Sequence, residues 1–413
     1  MRRKALLICY YFPPLGLGGV GRPLNLFRGL PGHGWDCDVL TVKPVTYRAY
    51  EPELLEGLDE RRIHRAGSHD PQRMLYFMGI RKVKARTISQ GRRVTGRFFP
   101  DSKVGWVRAA ARKGRSLCRQ NKYDAIISTS PPMSSHLIGR QLSSAFGLPW
   151  VADFRDFWTI YKVEEEFEDP RKVALGRQLL ENIRTEAAAV TTVNASIAEY
   201  LECGETIPNG YDSGLAEMWK QPPLPDLFRI GLLGHLHDTR EISPLLELLE
   251  KFRELSPALY EKVGLVQVGQ VNEDWLRKML DARGLSLPAE IHGRRSRRET
   301  IRLLSEAHLF FLGLSEKEGA GFLPGRTFEL IASGRPVIAF TPEESEVGRL
   351  VSAYERGCCF TCDSINKAVS FAEQQVRRFE TGRCDIDPLS EYARQFSSEA
   401  LARRFAELLD GLV

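Results

Sequence analysis

Ala5-Leu-Leu-Ile-Cys-Tyr-Tyr11, the turn at Pro13-Pro14, and Gly16-Leu-Gly-Gly-Val-Gly21 open the chain, ahead of a helical stretch from Pro23 to Leu30. A run that is apolar at every position, not at every second one, suits a strand covered by helices on both faces. The alternation continues through Asp38-Val-Leu-Thr-Val42, Tyr123-Asp-Ala-Ile-Ile-Ser-Thr129, Trp150-Val-Ala-Asp153 and Ala189-Val-Thr-Thr-Val193. It restarts after the proline-bearing stretch Gln221-Pro-Pro-Leu-Pro225. Phe228-Arg-Ile-Gly-Leu-Leu233 opens the second series, and strand-length runs recur at 263–268, 289–292, 308–314 and 336–340. Two such series predict an α/β chain of two doubly wound parallel sheets, with ligands in the cleft between them. The expected domains are residues 1–210 and 226–394. The amphipathic segment 395–413 is expected to pack as a helix on the first of them.

Composition agrees. The chain has 413 residues, 43% of them hydrophobic and 27% charged, which is too long for one ordinary core and fits two. A net charge of +5 is too mild to indicate nucleic-acid binding by itself. No apolar run approaches the roughly 18–20 residues of a membrane-spanning helix. Met1-Arg-Arg-Lys4 followed by apolar residues superficially resembles a leader, but the run passes directly into Pro13-Pro14 without a small-residue cleavage site. It reads as a first strand in a cytoplasmic protein. The eight cysteines are mostly scattered. Cys359-x-x-Cys362 has no second pair at metal spacing, so neither a metal nor a cofactor is expected.

Gly16-x-Gly18-x-x-Gly21 matches a dinucleotide fingerprint, but two features oppose that use. Pro13-Pro14 lengthens the turn, and the second strand begins at Asp36 and Asp38 and closes on Lys43 instead of ending on an acid. Gly18 and Gly19, ahead of a helix start, instead suit close backbone approach to a phosphate or sugar hydroxyl, with Arg22 beside them to pair with an anion. A purely structural glycine turn is the competing reading.

Several segments together resemble the GT-B family of retaining, nucleotide-sugar-dependent glycosyltransferases of the family-4 type. Tyr10-Tyr-Phe-Pro-Pro14 with Gly18-Gly-Val-Gly-Arg22 is similar to the family's acceptor loop. Ser128-Thr-Ser-Pro-Pro132 with His136, then Pro149-Trp-Val-Ala-Asp-Phe-Arg-Asp156, resembles a bacterial surface-polysaccharide subgroup. Ile207-Pro-Asn-Gly-Tyr-Asp212 looks like the interdomain signature, and Phe328-Glu-Leu-Ile-Ala-Ser-Gly-Arg-Pro-Val337 like the donor-binding helix. The likeness runs in order over residues 5–340.

The resemblance implies two facing Rossmann-like domains and specific roles. His136 would contact the donor sugar, and Asp153 would lie in the cleft, with Asp156 structural. Arg240 and Arg326 would hold the diphosphate, Arg326 together with helix N–H groups. Glu329 would accept bonds from the ribose hydroxyls. One departure matters: where the family commonly has a glutamate eight residues before Glu329, this chain has Gly321, with Glu316 and Glu318 nearby. Either Glu318 or Glu316 reaches the sugar through a shifted loop, or backbone amides hold it.

Residues 81–119 contain thirteen Lys/Arg and one acid, Asp101, with Phe98, Phe99 and Trp106 interleaved. No nucleic-acid module accompanies them. A basic, amphipathic face fits an anionic membrane surface, at the inner face of the plasma membrane, better than it fits nucleic acid. A merely solvated helical face is the plain alternative. The expected activity is sugar transfer from a nucleotide-diphosphate sugar to a polysaccharide, lipid-linked or small-molecule acceptor, with retention of configuration and without a metal. The alternatives are a nucleotide-sugar epimerase of the same fold and a non-catalytic sugar- or nucleotide-binding partner protein.

Overall fold

The computed structural model describes residues 2–16, 18–45, 50–78, 98–156, 169–202, 204–220, 226–234, 236, 239–314, 321–384 and 386–413. The chain divides into two compact units, Met1–Asn209 with Ser398–Val413, and Gly210–Ser397.

The first unit is built on seven parallel strands: β1 (Arg3–Ile8), β2 (Trp35–Val42), β3 (Ile63–Ala66), β4 (Ala125–Ser130), β5 (Trp150–Phe154), β6 (Ala189–Thr192) and β7 (Glu205–Thr206), ordered 3-2-1-4-5-6-7. β1 is the centre, pairing Leu7 with Val39 on one side and with Ile127 on the other. Ala5 to Ile8 are wholly buried, as a strand covered on both faces requires. The order reverses between β1 and β4, and a doubly wound sheet offers its ligand site at that point, beyond the carboxyl ends of the strands.

The helix Ser398–Asp410 belongs to this unit, as the amphipathic pattern anticipates. Leu401, Phe405 and Leu409 enter the core formed by Leu7, Leu24 and Val39. Asp410 accepts from the Trp35 indole at 2.9 Å and from Arg3 at 2.7 Å. The helix Gly21–Gly29 approaches so closely that a Cβ on Gly29 would lie 2.5 Å from Ala402 Cβ.

The second unit repeats the design with β8 (Phe228–Leu233), β9 (Val263–Val268), β10 (Ala289–His292), β11 (Leu309–Gly313), β12 (Val337–Phe340) and β13 (Gly357–Phe360), all parallel. Their order is 10-9-8-11-12-13, so its switch point lies between β8 and β11. Both sheets thus have the doubly wound form expected from the sequence.

The close contact at Gly29 yields a direct check. Gly29→Val should lower stability by about 1–3 kcal/mol through overpacking and speed amide exchange in Ser398–Asp410. An unchanged denaturation midpoint would show that the two helices do not meet as tightly as described.

Candidate functional site

At the carboxyl edge of the first sheet, Gly18–Val20 forms a short 3-10 turn leading into the helix Gly21–Gly29. Arg22, expected to meet a ligand anion, faces inward. It is 7% exposed, with Nε 3.0 Å from Asp153 Oδ2, Nη2 2.7 Å from Oδ1, and Nη1 donating to the Pro208 carbonyl at 2.7 Å. Thr129 and Thr191 hydroxyls also donate to Asp153, at 2.6 and 2.8 Å. Asp153 itself is fully buried. Burial alone would raise its carboxyl, but Arg22 and the two threonines outweigh it and hold the group below the ordinary carboxylate range. The structure therefore gives these two expected site residues to each other, because strand β5 ends where the first turn of the helix passes.

Arg155 points to the switch point. Nε donates to Ser130 O at 3.0 Å, Nη2 to Pro131 O at 3.0 Å, and Nη1 to Gly19 O. Asp153 thus pairs with Arg22 and not with its sequence neighbour Arg155. A Cβ on Gly19 would sit at ordinary contact distance, 3.6 Å from Arg155 Nη1, so the glycine leaves room beside this guanidinium.

His136, on the first turn of the helix Ser134–Phe146, is wholly buried. Its Nδ1 bonds Ser128 Oγ at 2.8 Å, and Ser128 in turn accepts from the Trp150 indole at 2.7 Å. Nε2 has no partner among the described residues. Burial lowers the pKa of the ring to about 3, so it is neutral at physiological pH.

In the second unit Arg326, the first residue of the helix Arg326–Ala332, reaches across the switch point. Its Nη1 lies 3.3 Å from Leu233 O, at the end of β8, and its Nη2 3.4 Å from Gly313 O, at the end of β11. Gly234 makes this possible: it has φ +106°, and a Cβ there would come within 2.8 Å of Arg326 Nη1. Beside it, beyond the ends of β8 and β9, lies a cavity of about 600 Å³ lined by Leu236, Gln270, Val271, Asn272 and Trp275. Glu329, one helical turn beyond Arg326, accepts from Arg297 Nη2 at 2.7 Å, and Arg297 Nη1 is 3.6 Å from Asp212. Arg297 was not distinguishable in sequence within Arg294-Arg295-Ser296-Arg297-Arg298, a run that reads as a solvated helix start.

Arg240 lies in the first turn of the helix Thr239–Leu255, and its side chain, like residues 315–320 with Glu316 and Glu318, is outside the described residues. So is the stretch 81–97 of the basic segment. Cys359 is buried in β13 and Cys362 exposed beyond it.

The Arg22–Asp153 pair can be tested as a unit. Arg22→Ala and Asp153→Ala should each cost about 3–5 kcal/mol, because each leaves a buried charge uncompensated. The double variant should cost clearly less than the sum, read by chemical denaturation. Additive costs would show that the two do not act as a pair.

Residues 18–210 match the family model described as a glycosyl transferase 4-like domain. Sucrose-phosphate synthase from Thermosynechococcus elongatus superposes with a TM-score of 0.65 at 16% identity, over 100% of this chain and 99% of that one. A glycosyltransferase from Rickettsia africae gives 0.63 at 12%, over 100% and 98%. An α,α-trehalose-phosphate synthase (UDP-forming) from Burkholderia xenovorans gives 0.59 at 11%, over 99% and 100%. No curated protein matches the chain in sequence. At these identities the superpositions speak for the fold, and the family model speaks for the first unit. Residues 18–210 are thus similar to a glycosyl transferase 4-like domain, in a chain that has the two-Rossmann-sheet GT-B fold throughout.

Proposed function

We propose that this protein is a glycosyltransferase that moves a sugar from a nucleotide-diphosphate donor to a polysaccharide, lipid-linked or small-molecule acceptor with retention of configuration. The observation that carries the reading is Arg326. A guanidinium placed over the ends of β8 and β11, at the second sheet's switch point, is where a doubly wound sheet meets a ligand. Negative charge grows on the leaving diphosphate as the sugar–phosphate bond breaks, and Arg326 stabilises it there, with Arg240 as a second cation. In a retaining reaction of this kind the departing phosphate takes the acceptor's proton, so the chain needs no separate general base.

Glu329 presents a carboxylate to the ribose, held in place by Arg297. The cavity beside Trp275 has room for the base. On the first unit, His136 is a neutral, wholly enclosed ring that bonds Ser128 and braces the carboxyl end of β4 from behind. Asp153 acts through Arg22, fixing the glycine turn against β5.

The reading includes a membrane-facing side. The helix Val107–Gln120 carries Arg108, Arg112, Arg115 and Arg119 at spacings of four, three and four, hence on one face, and no acidic residue. Among the described residues no helix is long and apolar enough to cross a membrane, so the proposed contact is peripheral, through attraction to anionic lipid.

Purified protein incubated with nucleotide sugars should release nucleoside diphosphate, and Arg326→Ala should weaken nucleoside diphosphate binding by about 1.5–3 kcal/mol, roughly 10- to 150-fold. Unchanged diphosphate affinity would remove Arg326 from the site. Glu329→Gln should weaken ribonucleotides more than their 2′-deoxy analogues. For the membrane side, Arg108→Glu with Arg112→Glu should reduce sedimentation with anionic vesicles, most clearly at low salt. Equal sedimentation of the wild type with neutral and anionic vesicles would count against lipid attraction.

A further inference from the structure

The helix Ile365–Glu380 sorts its residues sharply by face. Ala368, Val369, Ala372 and Val376 are buried in the core of the second unit. Ser370, Gln374, Arg377, Arg378 and Thr381, at spacings of four, three, one and three, share the opposite face. That face floors an open groove of about 630 Å³, a volume that suits a small ligand. The helix closes in a Schellman turn. Gly382 has φ +69°, its N–H donates to Phe379 O at 2.9 Å, and the Arg383 N–H donates to Arg378 O at 2.8 Å. The turn brings Arg383 back to line the same groove.

In such a turn the residue after the glycine commonly makes an apolar contact with the last full turn of the helix. Here the residues that would meet are Arg383, Arg378 and Arg377, three cations where an apolar staple is usual. The helix dipole favours cations in its last turn, but it accounts neither for Arg383 beyond the helix nor for the space beside them. The acids nearby are engaged elsewhere: Glu380 pairs with Lys262, and Glu373 accepts from Ser256 Oγ. Neither Arg377 nor Arg383 has an ion-pair partner among the described residues. A local rule broken at no evident gain to the fold marks a functional position.

The groove is remote from the switch point of its sheet. Phe379 packs on Phe228, the first residue of β8, and on His308, just before β11. Lys262 immediately precedes β9, so the arginines lie toward the amino edge. Arg326 sits at the other end of β8, roughly 17–20 Å away along a six-residue strand.

We propose that this groove is a second anion site, taking a compact molecule that carries two or more phosphate groups. Planar guanidiniums pair with phosphate oxygens two at a time, and Ser370 and Gln374 add neutral donors along the floor. A phosphorylated sugar and an inorganic polyphosphate present the same chemistry. The proposal stands apart from the transferase reading, because it uses no residue of the site at β8 and β11.

The test is hydrogen exchange during titration of inorganic tripolyphosphate into the full chain, which reads affinity at the groove itself. Expected are slowed exchange at residues 374–384 and a loss of at least about tenfold in affinity in the Arg377→Gln, Arg383→Gln double variant. Both arginines are exposed, so this variant should keep the wild-type denaturation midpoint. Arg377→Lys with Arg383→Lys keeps the charge but loses the planar forks, and should bind several-fold more weakly than the wild type. Fructose 1,6-bisphosphate, titrated likewise, separates the two sources: the tighter, arginine-dependent binder identifies the class. Protection by neither compound at residues 374–384, or unchanged affinity in the glutamine variant, overturns the proposal. So do lysine variants that bind like the wild type, since they would reduce the groove to a diffuse cationic surface.

Discussion

A guanidinium keeps its proton wherever a protein places it, so each arginine drawn into these interiors dictates the oxygens around it. Arg22 shows how much structure one such group can organise. Its charge is answered by Asp153, a third N–H reaches the Pro208 carbonyl, and its plane lies over the Phe405 ring at 5.1 Å. One side chain therefore fastens the glycine turn, the end of β5, the last stretch before the second unit and the C-terminal helix. Arg335 does comparable work in the second unit, where its cage of carbonyls includes Trp219, and burial pulls its pKa down to about 10, still well above neutrality.

The arginines at the two switch points are arranged differently. Arg155 and Arg326 each bond the carbonyls that end neighbouring strands, which places positive charge at the ligand edge of each sheet. The same division by role governs the carboxylates. Asp153 is enclosed and committed to Arg22, whereas Glu329 is partly exposed and shared with Arg297. A ribose that bonds Glu329 must therefore accept a carboxylate already oriented by a neighbouring cation.

Much of the fold was legible in the sequence because burial on both faces forces continuous apolar runs, as at Ala5–Ile8 and Val263–Val268. The C-terminal helix was legible from its amphipathic pattern. Weaker strands were not: Ile63–Ala66 and Glu205–Thr206 are short and polar, and they form because neighbouring strands offer an edge. The site was legible in its residue types but less so in its pairings. Asp153, Phe154 and Arg155 alternate along one strand end, so Asp153 and Arg155 cannot be separated by pattern, and only the path of the helix Gly21–Gly29 decides that Arg22 takes the carboxylate. Arg297 escaped notice because four arginines in five residues carry no signal for which one turns inward.

The central claim is that the second unit binds a nucleoside diphosphate at its switch point. Thermal denaturation with UDP, GDP, ADP and dTDP, followed by hydrogen exchange with whichever stabilises the protein, tests it most directly. A ligand at a hundredfold excess over Kd should add about 2.7 kcal/mol of stability and slow exchange at residues 231–234, 269–275 and 326–332. Absence of stabilisation by every nucleotide, or protection that spares those segments, would contradict the account.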